Sequence, residues 1–219
     1  MGSAFRAIGR SFRDWWDEMF LMVGINLVWA LLALPVVTLF PATMGAMSVA
    51  SEKARGRRVE FELFWRGFRR YFGKSWALGA INSVVTILIV VNIVFYLQQP
   101  SWLFYVTIIW LYVLLIWLGV IVYVFPLAIE QEDKGVKLIY RNAALLALGR
   151  PVFTLLVAII QVLLLALSIV LSPLLLLVYI PLSSLISNHA LLISLEEVEQ
   201  RRLQMAASRT DDSEESDEK

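Results

Sequence analysis

Three stretches of this chain contain no Asp, Glu, Lys or Arg: Met19 to Ser51 (33 residues), Trp76 to Ile129 (54) and Pro151 to Leu195 (45). Roughly 20 consecutive apolar residues take a helix across a hydrocarbon layer about 30 Å thick, so the first block has room for one crossing and the other two for a pair each. A water-soluble core built from 219 residues could not hide so much apolar surface. With 59% hydrophobic and only 17% charged residues, a disordered chain and a compact nucleic-acid-binding domain are excluded as well. No Cys and one His leave no material for a disulfide framework, a thiolate nucleophile, an iron–sulfur cluster or a Cys/His zinc site, and no cofactor is expected.

These blocks predict an all-α, polytopic transmembrane helix bundle with short amphipathic interfacial helices. Five spans are expected, at about 19–40, 76–97, 102–129, 152–171 and 174–195. The connections Gln98 to Ser101 and Ser172-Pro173 carry no charge, whereas eight basic residues crowd the first linker (Lys53, Arg55, Arg57, Arg58, Arg66, Arg69, Arg70, Lys74) and four the third (Lys134, Lys137, Arg141, Arg150). The positive-inside rule puts both linkers in the cytoplasm, which sends the N-terminus outside and the C-terminus inside. As a single helix the first block would be about 50 Å long, too much for one crossing, and it holds Pro35 and Pro41. A crossing that ends near Pro35 or Phe40, followed by a second helix starting at Pro41 with Thr38 as its cap, resolves this. A re-entrant hairpin that keeps the N-terminus inside is the alternative.

Residues 1–18 show no signal-peptide cleavage site and read as an amphipathic interfacial helix. Phe5, Ile8, Phe12, Trp15, Trp16 and Met19 fall near helical spacing, with Arg6, Arg10, Arg13, Asp14 and Asp17 left to face water. A second such helix lies in VEFELFWRGFRRYF, Val59 to Phe72, whose aromatic stripe is edged by Arg66, Arg69 and Arg70. Anionic lipid headgroups are the partner this pattern fits, and no nucleic acid is needed to explain it. Residues 200–219 form an acidic tail expected to be disordered beyond about Met205.

Two runs carry a family resemblance. LPVVTLFPATMGAM (Leu34 to Met47), followed by VEFELFWRGFRRYFGKSW (Val59 to Trp76), and YVFPLAIEQEDKGVKLIYRNAALLALGRP (Tyr123 to Pro151) resemble the YesL-like bacterial membrane family, a domain of unknown function. The resemblance implies an inner-membrane protein of about five spans, often associated with carbohydrate-uptake systems, and a membrane-protein partner such as a transporter subunit. Pro41, Gly45 and Pro126 are expected to mark helix breaks near the inner face. Ala42, Gly45, Ala46 and Ser48 offer a small face against which another helix can pack closely.

The spans lack carboxylates, which disfavours proton-coupled transport and intramembrane catalysis. Candidates for a polar cavity are the neutral residues Asn26, Asn82, Gln161, Ser184, Ser187 and Asn188, together with His189; interhelical hydrogen bonding is their plainer role. Ser187 or Ser184 with His189 would make a poor hydrolase, because residues two apart on a helix diverge and no carboxylate is at hand to orient the ring. The expectation is therefore a non-enzymatic integral membrane protein, and the resemblance implies a role accessory to carbohydrate uptake. The competing reading is a small-solute or lipid-handling transporter with a neutral polar cavity.

Overall fold

The computed structural model describes residues 2–99, 102–131, 135–171, 173 and 177–217, the side chains of 2 and 207–217 excepted. It is helical throughout, with no strand among the described residues. In chain order the helices are α1 (Gly2–Asp17), α2 (Met19–Ala33), α3 (Val36–Ala54), α4 (Phe61–Arg70), α5 (Phe72–Leu97), α6 (Val106–Glu130), α7 (Val136–Gly149), α8 (Pro151–Val170) and α9 (Tyr179–Asp217), with a 3-10 turn, Trp102–Tyr105, between α5 and α6.

Phe72–Leu97, Trp102–Glu130 and Pro151–Val170 are long and apolar enough to cross a membrane, yet only 28% of the apolar stretch of each is buried. Their outer faces carry exposed large side chains such as Ile87, Val91, Ile108, Ile109, Leu163 and Val170. A surface of this kind is stable where its solvent is hydrocarbon, and the helix suits that solvent because it satisfies its own backbone hydrogen bonds.

The interior is built differently. Buried residues of α3 (Ala42, Met44, Ala46, Val49), α6 (Val122, Tyr123, Leu127) and α9 (Leu185, Ile186, Ala190, Leu191) form its centre. From Ser184 to Leu191 every residue of α9 is buried, and α1, α2, α3, α6 and α8 pack around it. The last charge-free block thus supplies the central helix, whose Ser, Asn and His residues need protein partners.

Several expectations are corrected by this arrangement. Against the five crossings expected, three helices among the described residues are long and apolar enough to cross a membrane, or four if α1 and α2, bent by 93° at their junction, are taken as one broken span; the start of the expected last span, 174–176, lies outside the described residues. The first block breaks at Leu34-Pro35, and α2 and α3 fold back on each other as a hairpin. Trp29 Nε1 donates to Thr43 Oγ1 at 3.0 Å, and Lys53 at the end of α3 pairs with Glu18 before α2 at 3.3 Å. Pro41 and Pro126 break no helix, since α3 and α6 run through them. Proline at 41 cannot bond the carbonyl four residues earlier, that of Val37, and the Trp76 indole N–H donates to this oxygen instead at 2.8 Å. Thr38, expected as a cap for Pro41, lies inside α3 and its hydroxyl donates back to Leu32 and Pro35 carbonyls across the hairpin turn. The backbone of α9 stays helical to Asp217, past the expected start of a disordered tail. Pro100, Ser101, Ser172 and Lys134 lie outside the described residues.

The small face on α3 does what its composition suggests, and its partner is α4. An added Cβ at Gly45 would sit 2.8 Å from the Phe64 carbonyl oxygen, and one at Gly67 would sit 2.2 Å from Ser48 Oγ. Glycine at these two positions lets the helices touch backbone to backbone, with Phe64 fully buried between them.

Candidate functional site

Between Ile180 and Glu197 nearly every turn of α9 is tied by a polar contact to a neighbouring helix. At its start the Ile180 N–H donates to Asn26 Oδ1 at 3.0 Å, so a side chain of α2 satisfies one of the amides that a helix N-terminus leaves open. One turn on, Gln161 of α8 donates through Nε2 to Ser187 Oγ at 2.7 Å and to the Ser183 carbonyl at 3.3 Å. Asn188 Nδ2 donates to the Ser184 carbonyl at 2.9 Å and to Met47 Sδ of α3 at 3.0 Å. His189 Nε2 lies 2.8 Å from Asp14 Oδ2 of α1. Further down, the buried Tyr123 hydroxyl of α6 meets Thr154 Oγ1 at 3.1 Å and Ser194 Oγ at 3.2 Å. Finally, Arg150 pairs with Glu197 at 2.7 Å and donates to Ser3 Oγ at 3.2 Å, its guanidinium 4.5 Å from the Phe153 ring centroid.

Of the residues expected to share a cavity, the structure brings Asn26, Gln161, Ser184, Ser187, Asn188 and His189 to this one seam. Asn82 is elsewhere. Its Oδ1 accepts from the Tyr140 hydroxyl of α7 at 2.7 Å, and the same hydroxyl also reaches the Leu78 carbonyl at 3.2 Å. Burial pushes the Tyr140 hydroxyl up to about 12, which keeps it a donor at any physiological pH. The Tyr140 ring stacks on Trp117, centroids 6.0 Å apart, while Trp117 Nε1 donates to Thr86 Oγ1 at 3.0 Å.

Asp14 is the residue the sequence reading missed. Helical spacing assigned it to the wet face of α1, yet α1 lies against α9 through Ala4, Ala7, Ser11 and Trp15 and turns Asp14 onto the buried His189. The signal was present in the run Ala4, Ala7, Ser11, a small face at steps of three and four. A carboxylate therefore does orient the imidazole, but the hydrolase geometry is not completed by Ser187, whose hydroxyl accepts from Gln161 on another side of α9. Among the described residues no three His, Cys, Asp or Glu side chains cluster as a metal site. Buried polar atoms without a partner are Trp15 Nε1, Asn82 Nδ2, Thr107 Oγ1, Arg150 Nη1 and Ser168 Oγ.

Two concavities are not lined by Asn26, Gln161, Ser184, Ser187, Asn188 or His189. One of about 170 Å³ separates α1 from the lower part of α9, between Arg6 and Arg10 on one side and Glu196, Glu197 and Gln200 on the other. A wider one, about 460 Å³, covers the outer face of α4 and is lined by Glu62, Trp65, Arg66, Arg69 and Arg70. Lys74 at the corner into α5 donates to the Ala128 and Gln131 carbonyls, each at 3.2 Å, and so caps the C-terminal end of α6.

No curated protein and no solved structure matches this chain. A family model described as "Protein of unknown function, DUF624" matches residues 22–93, about a third of the chain, from α2 through most of α5.

Proposed function

We propose that the chain is a non-enzymatic integral membrane protein of the YesL-like kind, acting as an accessory or stabilising subunit for a bacterial membrane transport system, with carbohydrate uptake as the first system to examine. The observation that carries this reading is the use to which the interior polar groups are put. Asn26, Gln161, Ser187, Asn188 and Tyr123 direct hydrogen bonds at one another's helices, which is the pattern of interhelical glue. The matched segment, 22–93, contains both Leu34 to Met47 and Val59 to Trp76, and its family is a domain of unknown function, as the resemblance implied.

For sidedness, the hairpin supports the alternative weighed from sequence. With Glu18 and Lys53 in contact, α1 and the basic linker share one side, and the positive-inside rule makes that side cytoplasmic. The bilayer itself, with its anionic headgroups, is the first partner.

Affinity purification of the full chain in mild detergent, followed by identification of co-purifying membrane proteins, tests the accessory role. A transporter subunit recovered repeatedly at near-stoichiometric amounts supports it. Repeated recovery of the chain alone, with solute flux into liposomes that contain only this protein, would replace it with the transporter reading.

A further inference from the structure

The outer face of α4 is the strongest unassigned surface. Its inner face is spent on α3 through Phe64 and Gly67. The outer face carries Arg66, Arg69 and Arg70, with Glu62 and Trp65, around the open concavity of about 460 Å³. Arg66 pairs with Glu62 at 3.2 Å, and with both side chains well exposed this pair is readily exchanged for a stronger anion. Trp65, partly exposed, forms the aromatic edge of the same concavity.

What lies next to this basic face identifies its ligand. Trp65 packs edge-on against Phe68 (5.6 Å), and Phe68 against Phe72 (5.8 Å), which is exposed at the first residue of α5. The helix then continues as an apolar span whose outer face exposes Ile81, Val84 and Ile87. An aromatic ridge thus leads from the arginines to a hydrocarbon-facing surface. A soluble phosphate would use the arginines and leave the ridge idle, whereas a phospholipid uses both, with its phosphate at the guanidinium groups and its chains along α5.

We propose that Arg66, Arg69 and Arg70, with Trp65 and Phe72, form a binding site for the headgroup of an anionic phospholipid, whose acyl chains run down the outer face of α5. The site rests on the reading of α5 as a membrane span. Guanidinium groups suit the phosphodiester because their paired N–H donors match its oxygens, and an anionic lipid is preferred over a zwitterionic one because it brings no ammonium group to oppose them.

The test uses the full-length protein reconstituted in nanodiscs of phosphatidylcholine containing a small fraction of phosphatidylglycerol, with native mass spectrometry counting the lipids retained after release. Wild-type protein is expected to retain phosphatidylglycerol well above its fraction in the disc, and less so at high salt. Each of Arg66→Gln and Arg69→Gln should lower that enrichment by roughly fivefold, and the triple Gln variant with Arg70 should abolish it. Arg66→Lys with Arg69→Lys should keep most of it, and Arg57→Gln in the neighbouring linker should change nothing. Circular dichroism establishes that each variant is folded. Unchanged enrichment in the folded triple variant overturns the site, as does full displacement of the lipid by millimolar inorganic phosphate. Resistance of the vesicle-reconstituted protein to carbonate extraction is scored separately. If extraction removes the wild type, the spanning assignment of α5 falls and the site with it; if the protein stays in but retains lipids indiscriminately, only the site falls.

Discussion

At the residue scale, glycine and hydrogen-bonding side chains do work that their apolar surroundings make sharply measurable. Gly45 faces the Phe64 backbone carbonyl, which cannot swing aside, so Gly45→Ala should lower stability by about 1–3 kcal/mol through overpacking. Gly9 in α1 meets nothing within 4 Å, and there the same change should raise stability by up to about 1 kcal/mol, since alanine is the better helix former. Thermal unfolding in one detergent compares the two, and equal shifts would contradict the close approach of α3 and α4. Asp14→Ala should cost about 1–3 kcal/mol by leaving His189 buried without its partner, while Asp17→Ala on the exposed side should cost little. Tyr140 adds a pH signature. Its hydroxyl is held in the neutral form up to about 12 when folded, against an ordinary value near 10 in the unfolded chain. Its contribution to stability is therefore complete below about pH 10 and is lost as pH rises from there towards 12. The fall in melting temperature between pH 9 and pH 11 should be smaller in Tyr140→Phe than in wild type.

At the scale of elements, position of a proline and position of a break proved to be separate matters. The motif prolines Pro41 and Pro126 look like helix terminators from sequence, because each removes a backbone donor. The actual break is at Pro35, and α3 absorbs Pro41 because Trp76, from another helix, supplies the missing donor to Val37. Trp76→Phe should then cost about 1–3 kcal/mol by orphaning that carbonyl. In a Pro41→Ala background the backbone N–H returns, and the same Trp76→Phe change should cost markedly less. A double-mutant cycle on unfolding reads this coupling, and simple additivity would refute it. The amphipathic helices were legible in sequence as elements, since their aromatic and basic residues recur at helical spacing. Which face docks was not: on α1 it is the small face with Trp15, and Phe5, Phe12 and Trp16 remain exposed.

For the whole molecule, the hairpin makes a topological statement that the absence of native cysteine renders simple to check. Single cysteines at Glu18 and at Arg57 should react with a membrane-impermeant maleimide from the same side of sealed vesicles. Reaction from opposite sides would restore the crossing first expected of residues 19–40. Sequence alone determined that hydrocarbon is the solvent of this fold, that it is all helical, and that the interior would need neutral polar partners. These are properties of composition and of local period, and every residue of a charge-free block carries them. Tertiary structure decided which helix became the centre and which partner each polar group received. Asp14 with His189, Met47 with Asn188 and Asn26 with Ile180 join residues more than 140 positions apart. No local pattern encodes such pairs, because a hydrogen bond between helices depends on how their faces are turned once packed, and many rotations of an apolar helix are equally acceptable to lipid until its few polar atoms find each other.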